Sequence, residues 1–390
     1  MRTEKNLRIS FFIFFIALFG GISSNYIVAQ EKLELLSGEI AKINSKVLDE
    51  ERVVSIALPN GYEQGSQKYP VIYLLDGRTH FRHASSAVDY LSGRGIIPQM
   101  IVVAVHNIDR NRDFSPVPDK NRPNTGGAEK FLNFLDQELT TYIKKNYRVS
   151  DFAILMGHSF GGTFASYALI TKPKLFDAYI AVSPYLQYAD NHMVKESQEK
   201  LKSKYNKQKF FYMTVGNEPD YFKPLEEFST AIKTKLTDAI HFRYDKYEED
   251  NHGTTPYLSV FNGLKFIFSD WQLPLITFAK GLEAMDEHYH AISSKYGFEV
   301  KTPENQINAL GYNYLQNKDF DNAIMVFKEN VKRYPESANV YDSLGEAYEK
   351  NNQLKMAKQN YEMAYKLGKE NGDLNTAIFK ANFERVQKAL

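Results

Sequence analysis

The chain has 390 residues, of which 43% are hydrophobic and 24% are charged, and its formal net charge at pH 7 is +1. This length allows two domains, at least one of them with a sizeable core. Because the charges are balanced and no basic stripe is present, the composition does not indicate nucleic-acid binding. The sequence contains no cysteine, which excludes disulfides, thiolate catalysis, cysteine-bound metals and a lipid-modified cysteine anchor.

The N-terminal region has the pattern of a secretory signal. Three basic residues lie within the first eight positions, and an apolar run follows over residues 9–22. This run is short for a membrane span, and Ala29 fits the last residue of a cleaved leader. We therefore expect a signal peptide over 1–29 and a periplasmic or secreted mature chain without a membrane span. An uncleaved anchor is the alternative.

The next region alternates short apolar runs with amphipathic stretches, after a predicted leading helix over 31–46. Strands are predicted at 51–58, 69–75, 100–105, 152–156, 177–182, 210–215 and 240–244. Helices are predicted at 84–91, 128–147, 163–171, 193–204, 221–237 and 256–268. This alternation predicts an α/β domain over 30–271 with a mostly parallel, doubly wound sheet and a site at the carboxyl ends of its strands.

The central motif of this region is Gly157-His-Ser-Phe-Gly161. It follows an apolar strand and precedes a helix, which is the context of the nucleophile elbow of α/β-hydrolases. In such an elbow the serine, here Ser159, projects from a strained turn, and the two glycines let strand and helix approach each other. His158 fills the variable position of the motif, where we expect it to pack or to make a supporting hydrogen bond.

A serine hydroxyl needs a base to activate it and an acid to orient that base, and α/β-hydrolases carry them in the order serine, acid, histidine. Among the histidines after Ser159, only His252 lies in a loop between the last predicted strand and the closing helix, so we predict it as the general base. The acid should follow the preceding strand, where Glu218 and Asp220 both qualify. Glu218 is preferred because it is nearer to the strand end, and Asp220 is the alternative.

Two backbone N–H groups are needed to form an oxyanion hole. One is predicted to be that of Phe160, the residue after the nucleophile, and the other that of Arg78, in the loop after the strand over 69–75. Asp76 in the same loop is predicted to brace the turn by accepting backbone N–H bonds.

The polar segment over 107–127 is long for a connection inside a compact domain, and such loops commonly carry function. Its Arg110 and Arg112 lie on the site side of the predicted sheet. They are candidates for pairing with an anionic or catechol-like group of a substrate, and the alternative is that they form loop-bracing salt bridges. No metal site and no cofactor are predicted.

From about residue 272 the pattern becomes all-helical and contains an internal repeat. Like residues recur at a spacing of 34 in the pairs Leu310/Leu344, Gly311/Gly345, Tyr314/Tyr348, Ala323/Ala357 and Phe327/Tyr361. This is the period of tetratricopeptide helix pairs, and it predicts an all-α domain over 272–390 with repeats at about 304–337 and 338–371. Helices over 278–296 and 377–390 should cover the ends. The repeats either stabilise the rest of the chain by packing on it or dock a protein or peptide partner.

Several stretches together resemble one family: Tyr69–Gly77, Asn107–Asp113, Gly157–Gly162, Ser183–Pro184 and Asn251–Gly253. They are similar to the Putative esterase branch of the α/β-hydrolases, which includes esterase D, the feruloyl esterases, the enterochelin (ferric siderophore) esterases and the mycolyltransferases. The match covers roughly residues 45–270. Among the members of this family, the sequence most resembles the exported siderophore-esterase-like proteins, some of which carry a tetratricopeptide tail. The resemblance implies metal-free serine ester hydrolysis through Ser159, an acid and His252.

We therefore expect an exported serine esterase that acts through an acyl-enzyme on a small-molecule ester, such as a siderophore-type ester or an aryl or acyl sugar ester. One alternative is acyl transfer to an alcohol on the same fold, which depends on how well water is excluded. Another is an interaction protein in which the tetratricopeptide tail binds a partner and the hydrolase domain is vestigial. The complete set of serine, acid and histidine argues against the second alternative.

Overall fold

The computed structural model describes residues 38–63, 65–201, 208–236 and 239–390. The predicted signal peptide over 1–29 lies outside these ranges. Within them, no helix is both long enough and apolar enough to cross a membrane. Residues 38–390 form one structural unit that contains the sheet and the C-terminal helices.

An eight-stranded sheet runs through the centre of the fold. Its strands are β1 Gly38–Ser45, β2 Glu50–Ala57, β3 Tyr69–Leu74, β4 Ile101–Val105, β5 Val149–His158, β6 Ala178–Val182, β7 Lys209–Val215 and β8 Ile240–Lys246. The spatial order is β1-β2-β4-β3-β5-β6-β7-β8. The pairs β1–β2 and β2–β4 are antiparallel, whereas the strands from β4 to β8 in this order are parallel. The mostly parallel sheet and its predicted strands β2–β8 are confirmed.

The predicted leading helix over 31–46 is wrong in the part that the structure describes. Gly38–Ser45 instead form the edge strand β1, which pairs along its whole length with β2. The turn between the two strands includes Asp49 at φ 56° and directs the chain back along β1. The local composition suits a helix, but pairing with β2 overrides this weak local preference.

Helices cover both faces of the sheet. They are α1 Gly77–Gly93, α2 Arg110–Phe114, α3 Ala128–Phe134, α4 Thr140–Asn146, α5 Phe160–Thr171, α6 Tyr188–Lys200, α7 Pro219–Lys235 and α8 Thr255–Ile267, with a π-helical turn Leu135–Leu139 between α3 and α4. Val88 of α1 and Leu264 of α8 pack in the core on one face. Phe164 of α5 and Phe228 of α7 pack in the core on the other. This is the predicted doubly wound arrangement, and it leaves the carboxyl ends of the parallel strands open for a site.

The long segment over 107–127 contains the short helix α2 and is fixed to the sheet by charged side chains. The fully buried Arg52 of β2 contacts Asp113 at 2.5 Å and also pairs with Glu50. Arg112 contacts the same two carboxylates, Glu50 at 2.6 Å and Asp113 at 2.8 Å. Breaking a buried charge network leaves charges uncompensated and is strongly unfavourable, so these four residues hold the start of the segment in place.

The C-terminal region is helical. It comprises α9 Leu275–Phe278, α10 Leu282–Tyr296, α11 Glu304–Gln316, α12 Phe320–Arg333, α13 Ala338–Lys350, α14 Leu354–Asn371 and α15 Thr376–Ala389. α10 connects this region to the sheet. Its Tyr296 packs against Phe152 of β5 with the ring centroids 5.4 Å apart, whereas its Met285 packs against Ile307 and Leu310 of α11. α10 therefore shares one core with the sheet and another with the helices that follow.

The helices α11–α14 repeat one packing contact at a spacing of 34 residues. A Cβ atom on Gly311 would lie 2.5 Å from the Phe327 ring, and one on Gly345 would lie 2.8 Å from the Tyr361 ring. In each case an aromatic side chain of the second helix fits against a glycine of the first. This contact explains two of the five matched pairs, Gly311/Gly345 and Phe327/Tyr361. α15 then packs against α14, where its Val386 joins the core around Tyr361. It covers the end of the array as predicted.

Candidate active site

Ser159 lies between β5 and α5 in a backbone conformation that is rare for residues other than glycine, with φ 59° and ψ −118°. A Cβ atom on Gly157 would lie 2.1 Å from the carbonyl oxygen of Gly161, so only glycine allows the strand and helix to approach here. The Ser159 N–H donates to the Val182 carbonyl of β6 at 2.8 Å, which ties the turn to the neighbouring strand. The geometry matches the predicted nucleophile elbow.

Glu218 and His252 are in direct contact. They lie in the loops after β7 and β8, and the His252 Nδ1 hydrogen-bonds the Glu218 Oε1. The other carboxylate oxygen, Oε2, accepts hydrogen bonds from the Ser183 hydroxyl at 2.6 Å and from the Gly216 N–H at 3.0 Å. Burial opposes ionisation of Glu218, but the hydrogen bonds from His252 and Ser183 outweigh it, and the pKa of Glu218 lies below its usual value.

The elbow and the Glu218–His252 pair meet at the carboxyl edge of the sheet. The His252 ring lies 4.4 Å from the ring of His158, the residue before the nucleophile. The His252 ring also lies 5.6 Å from the ring of Tyr221. Burial, assisted by the charge of Glu218, raises the pKa of Tyr221 to about 12, so this phenol stays neutral.

Of the two predicted acids, the structure brings Glu218 to His252 and leaves Asp220 exposed on the first turn of α7.

The two predicted oxyanion donors lie at helix N-termini at this edge. Phe160 is the first residue of α5 and Arg78 is the second residue of α1, so neither N–H has an acceptor inside its own helix. α1 is preceded by Asp76 at φ 52°, directly after β3. Donors at such positions suit a developing negative charge.

The bracing role predicted for Asp76 is present, but its carboxylate acts through side chains instead of backbone N–H groups. It accepts hydrogen bonds from the Asn107 amide and from Arg110 Nε, the latter at 2.7 Å. Arg110 also donates to the carbonyl oxygen of His158 at 2.9 Å. Arg110 therefore links the ends of β3 and β5.

The two arginines predicted as substrate ligands, Arg110 and Arg112, are both held by protein carboxylates. Arg110 pairs with Asp76, and Arg112 pairs with Glu50 and Asp113. The loop-bracing alternative describes the contacts that the structure contains for both residues.

A row of imidazoles beside the site was not predicted. His80 and His83 of α1 are joined by a ring-nitrogen hydrogen bond of 2.9 Å, and the His80 ring lies 5.6 Å from that of His158. Burial, and then the charges of His252, His80 and Arg110, lowers the pKa of His158 to about 3. Burial, and then His80, lowers the pKa of His83 to about 4. The sequence signal was the i, i+3 spacing of His80 and His83 directly after the Asp76 turn.

Among the residues that the structure describes, no three His, Asp or Glu side chains are arranged to hold a metal ion.

A row of aromatic side chains beside the nucleophile was also missed. The ring of Phe160 lies 5.2 Å from that of Tyr185, which lies 5.8 Å from that of Tyr221. The Arg122 guanidinium lies over the first two rings, 5.6 Å from the Phe160 centroid and 5.2 Å from the Tyr185 centroid. Arg122 belongs to the polar segment that the sequence identified, but its position over Phe160 depends on how that segment folds back.

The family model described as "Putative esterase" matches residues 45–282. The ferri-bacillibactin esterase BesA of Bacillus subtilis is 33% identical over 150 residues, which are 33% of this chain and 52%, or about half, of that relative. The siderophore triacetylfusarinine C esterase of Aspergillus fumigatus is 25% identical over 260 residues, which cover 56% of this chain and 89% of that protein.

Among solved structures, an IroE-like serine hydrolase from Shewanella oneidensis is similar with a TM-score of 0.67 and 28% identity, over 76% of this chain and 100% of that chain. The family model covers more than half of the chain and includes the elbow and the Glu218–His252 pair. This chain belongs to the Putative esterase family of carboxylic ester hydrolases.

Proposed function

We propose that this protein is a serine carboxylic-ester hydrolase in which Ser159 is the nucleophile, His252 the general base and Glu218 the acid that orients His252. The observation that carries this proposal is the contact between Glu218 and His252 beside the strained elbow at Ser159. A carboxylate on Nδ1 leaves Nε2 as the nitrogen that can accept a proton from a serine hydroxyl.

The reaction follows from these positions. His252 takes the proton of the Ser159 hydroxyl as the oxygen attacks the ester carbonyl, and the N–H groups of Phe160 and Arg78 stabilise the oxyanion that forms. The imidazolium then donates its proton to the departing alcohol, which leaves an acyl-enzyme on Ser159. A water molecule, deprotonated by His252, attacks the acyl group, and the imidazolium returns the proton to the Ser159 oxygen as the bond to the acyl group breaks and the carboxylic acid leaves.

Glu218 is favoured over Asp220 as the acid because its surroundings suit a fixed negative charge. Its two oxygens receive hydrogen bonds from His252, Ser183 and the Gly216 N–H. A carboxylate held in this way stays ionised and stabilises the imidazolium as it forms.

For the substrate we propose a siderophore-type ester, with an aryl or acyl sugar ester as the alternative. The support is the activity in the names of two relatives, a ferri-bacillibactin esterase and a triacetylfusarinine C esterase. We also propose that the leader over 1–29 directs export to the periplasm or the medium, as the basic start and apolar run suggest.

For the domain organisation we propose an esterase domain over 30–271 and a tetratricopeptide-like domain over 272–390. The repeated contacts Gly311–Phe327 and Gly345–Tyr361 support the tetratricopeptide assignment. The packing of α10 on the sheet favours a stabilising role for this region, and docking of a peptide partner stays a prediction.

The experiment is to measure hydrolysis of p-nitrophenyl butyrate by the wild-type protein, by Ser159→Ala and by Ser86→Ala, a control at an exposed position of α1. We expect Ser159→Ala to lower kcat on the order of 10⁴-fold or more, and Ser86→Ala to match the wild type. Turnover that survives in Ser159→Ala refutes the proposal. A panel that includes ferric tri-catecholate siderophores and feruloylated sugars then tests the substrate.

A further inference from the structure

The Phe160 ring, next to the nucleophile in sequence, has two guanidinium groups within 6 Å of its centroid. Arg110 is 5.9 Å from its centroid and Arg122 is 5.6 Å from it. The two cations differ in what surrounds them. Arg110 is half-buried and bound to Asp76, so its charge is matched within the protein.

Arg122 is exposed, and no carboxylate lies within salt-bridge distance of it in the described ranges. Its protein contacts are the faces of Phe160 and Tyr185 and a 3.2 Å hydrogen bond to the Tyr185 hydroxyl. Stacking on two rings fixes the direction of a guanidinium without neutralising it. Donors of Arg122 that do not face Tyr185 therefore stay available to an anion.

This cation borders a surface suited to a planar group. The Tyr185 ring lies 5.2 Å from the Phe160 ring and 5.8 Å from the ring of Tyr221, which in turn lies 5.6 Å from the ring of His252. An ester bound at Ser159 would thus lie beside these aromatic rings, with the unmatched positive charge of Arg122 over Phe160, the residue next to the nucleophile. Aromatic faces bind flat apolar groups, and a guanidinium binds carboxylates or phenolates.

We propose that Arg122, with Phe160 and Tyr185, forms a subsite that selects esters carrying a negative charge close to the reacting carbonyl. This inference rests on the proposed function, because it names the class of ester that the site at Ser159 prefers. It makes Arg122 a specificity-determining residue, with the role of binding an anionic substrate group that we predicted from the sequence for Arg110 and Arg112.

The test uses two pairs of esters that differ in charge but little in size. One pair places the charge on the acyl side, p-nitrophenyl hemiglutarate against p-nitrophenyl valerate. The other places it on the alcohol side, the butyrate ester of 4-hydroxybenzoate against that of its methyl ester. The measured quantity is the ratio of kcat/KM for the charged ester to kcat/KM for the neutral ester.

We expect the wild type to favour the charged ester in at least one pair, and Arg122→Gln to lower that ratio about tenfold. Arg122→Lys should keep most of the preference, since it retains the charge. Lys120→Gln, at an exposed position of the same segment, should keep the wild-type ratio. A high salt concentration should reduce the preference of the wild type, because this site is open to solvent.

A ratio that is the same in the wild type and Arg122→Gln for both pairs overturns the inference, provided that thermal unfolding shows both proteins to be folded. So does an Arg122→Lys variant that loses the preference as completely as Arg122→Gln, since the arginine would then act only by bracing the segment. Both outcomes leave the proposed function intact. That function fails separately if Ser159→Ala still hydrolyses the neutral esters.

Discussion

The Ser183 hydroxyl donates a 2.6 Å hydrogen bond to Glu218, on the carboxylate oxygen that faces away from His252. Ser183 is fully buried at the carboxyl end of β6 and has φ 39°, a conformation that is strained for a serine. Its backbone N–H is tied to the Thr214 carbonyl of β7 at 2.8 Å. Neighbouring strands therefore hold Ser183 in a strained position from which it orients the carboxylate of Glu218.

Replacing Ser183 by alanine should weaken catalysis without unfolding the protein. The loss of one hydrogen bond to a charged group should lower kcat/KM about tenfold for p-nitrophenyl butyrate. Ser197→Ala is a matched control, because Ser197 is also fully buried but donates to the Val194 carbonyl within α6. Equal activities of Ser183→Ala and Ser197→Ala would show that the Ser183 contact does not support the acid.

Substitution of the acid should separate the two candidates that the sequence left open. Glu218→Gln keeps the size of the side chain but removes the charge that stabilises the His252 imidazolium, so kcat should fall on the order of 10³-fold. Asp220→Asn should have activity close to that of the wild type, because Asp220 is exposed on α7. Steady-state kinetics of both variants decide the assignment, and the reverse result would transfer the role to Asp220.

The imidazole row predicts a loss of stability in mild acid. In the folded protein the pKa is about 3 for His158 and about 4 for His83, whereas an unfolded histidine has a pKa of about 6.5. The unfolded chain therefore binds protons below about pH 6.5 that the folded chain does not, and stability is lost as the pH falls from there through the folded pKa values.

Each such histidine should contribute about 1.4 kcal/mol of lost stability per pH unit over that window. His158→Gln should reduce the slope of unfolding free energy against pH by about this amount, as measured by chemical denaturation between pH 6 and 4.5. His290→Gln, at an exposed position of α10, should leave the slope unchanged. A His158→Gln slope equal to that of the wild type would mean that His158 is protonated in the folded protein.

The repeated glycine contacts predict where the C-terminal helices are sensitive. A Cβ atom on Gly345 would lie 2.8 Å from the Tyr361 ring, so Gly345→Ala must displace that ring and should cost about 1–3 kcal/mol. Gly93 lies at the end of α1. Apart from the neighbouring backbone of that helix, no described atom lies within 4 Å of the position that a Cβ atom on Gly93 would take. Gly93→Ala should therefore be neutral or slightly stabilising. Chemical denaturation of both variants measures the difference. A Gly345→Ala protein as stable as the wild type would contradict the close packing.

The parts of the molecule that depend on local sequence were predictable. The strand, turn and helix around Ser159 are contiguous in sequence. Gly157 and Gly161 indicate that the strand and the helix approach each other closely, and the structure contains this approach. Glu218 and His252 are 34 residues apart, but each follows a strand of a parallel sheet. Because such strand ends meet at one edge, chain order alone led to the two side chains that are in contact.

The misses depend on contacts between distant segments. The edge strand β1 has a helix-like sequence, and pairing with β2 decides its structure. Arg112 lies near the site in sequence, yet its partners are Glu50 on β2 and its neighbour Asp113. Arg122 reaches the site through the folding of a long segment. The i, i+3 spacing places His80 and His83 on one face of α1, but their approach to His158 depends on how that helix packs on the sheet.

The most direct test of the catalytic assignment is to locate the covalent adduct formed by a fluorophosphonate probe. Intact-protein mass spectrometry, followed by peptide mapping, should find one adduct, on Ser159. It should be absent in Ser159→Ala and form far more slowly in His252→Ala, because the base that activates the hydroxyl is missing. An adduct on another residue, or labelling of His252→Ala at the wild-type rate, would contradict the assignment of Ser159 and His252 as nucleophile and base.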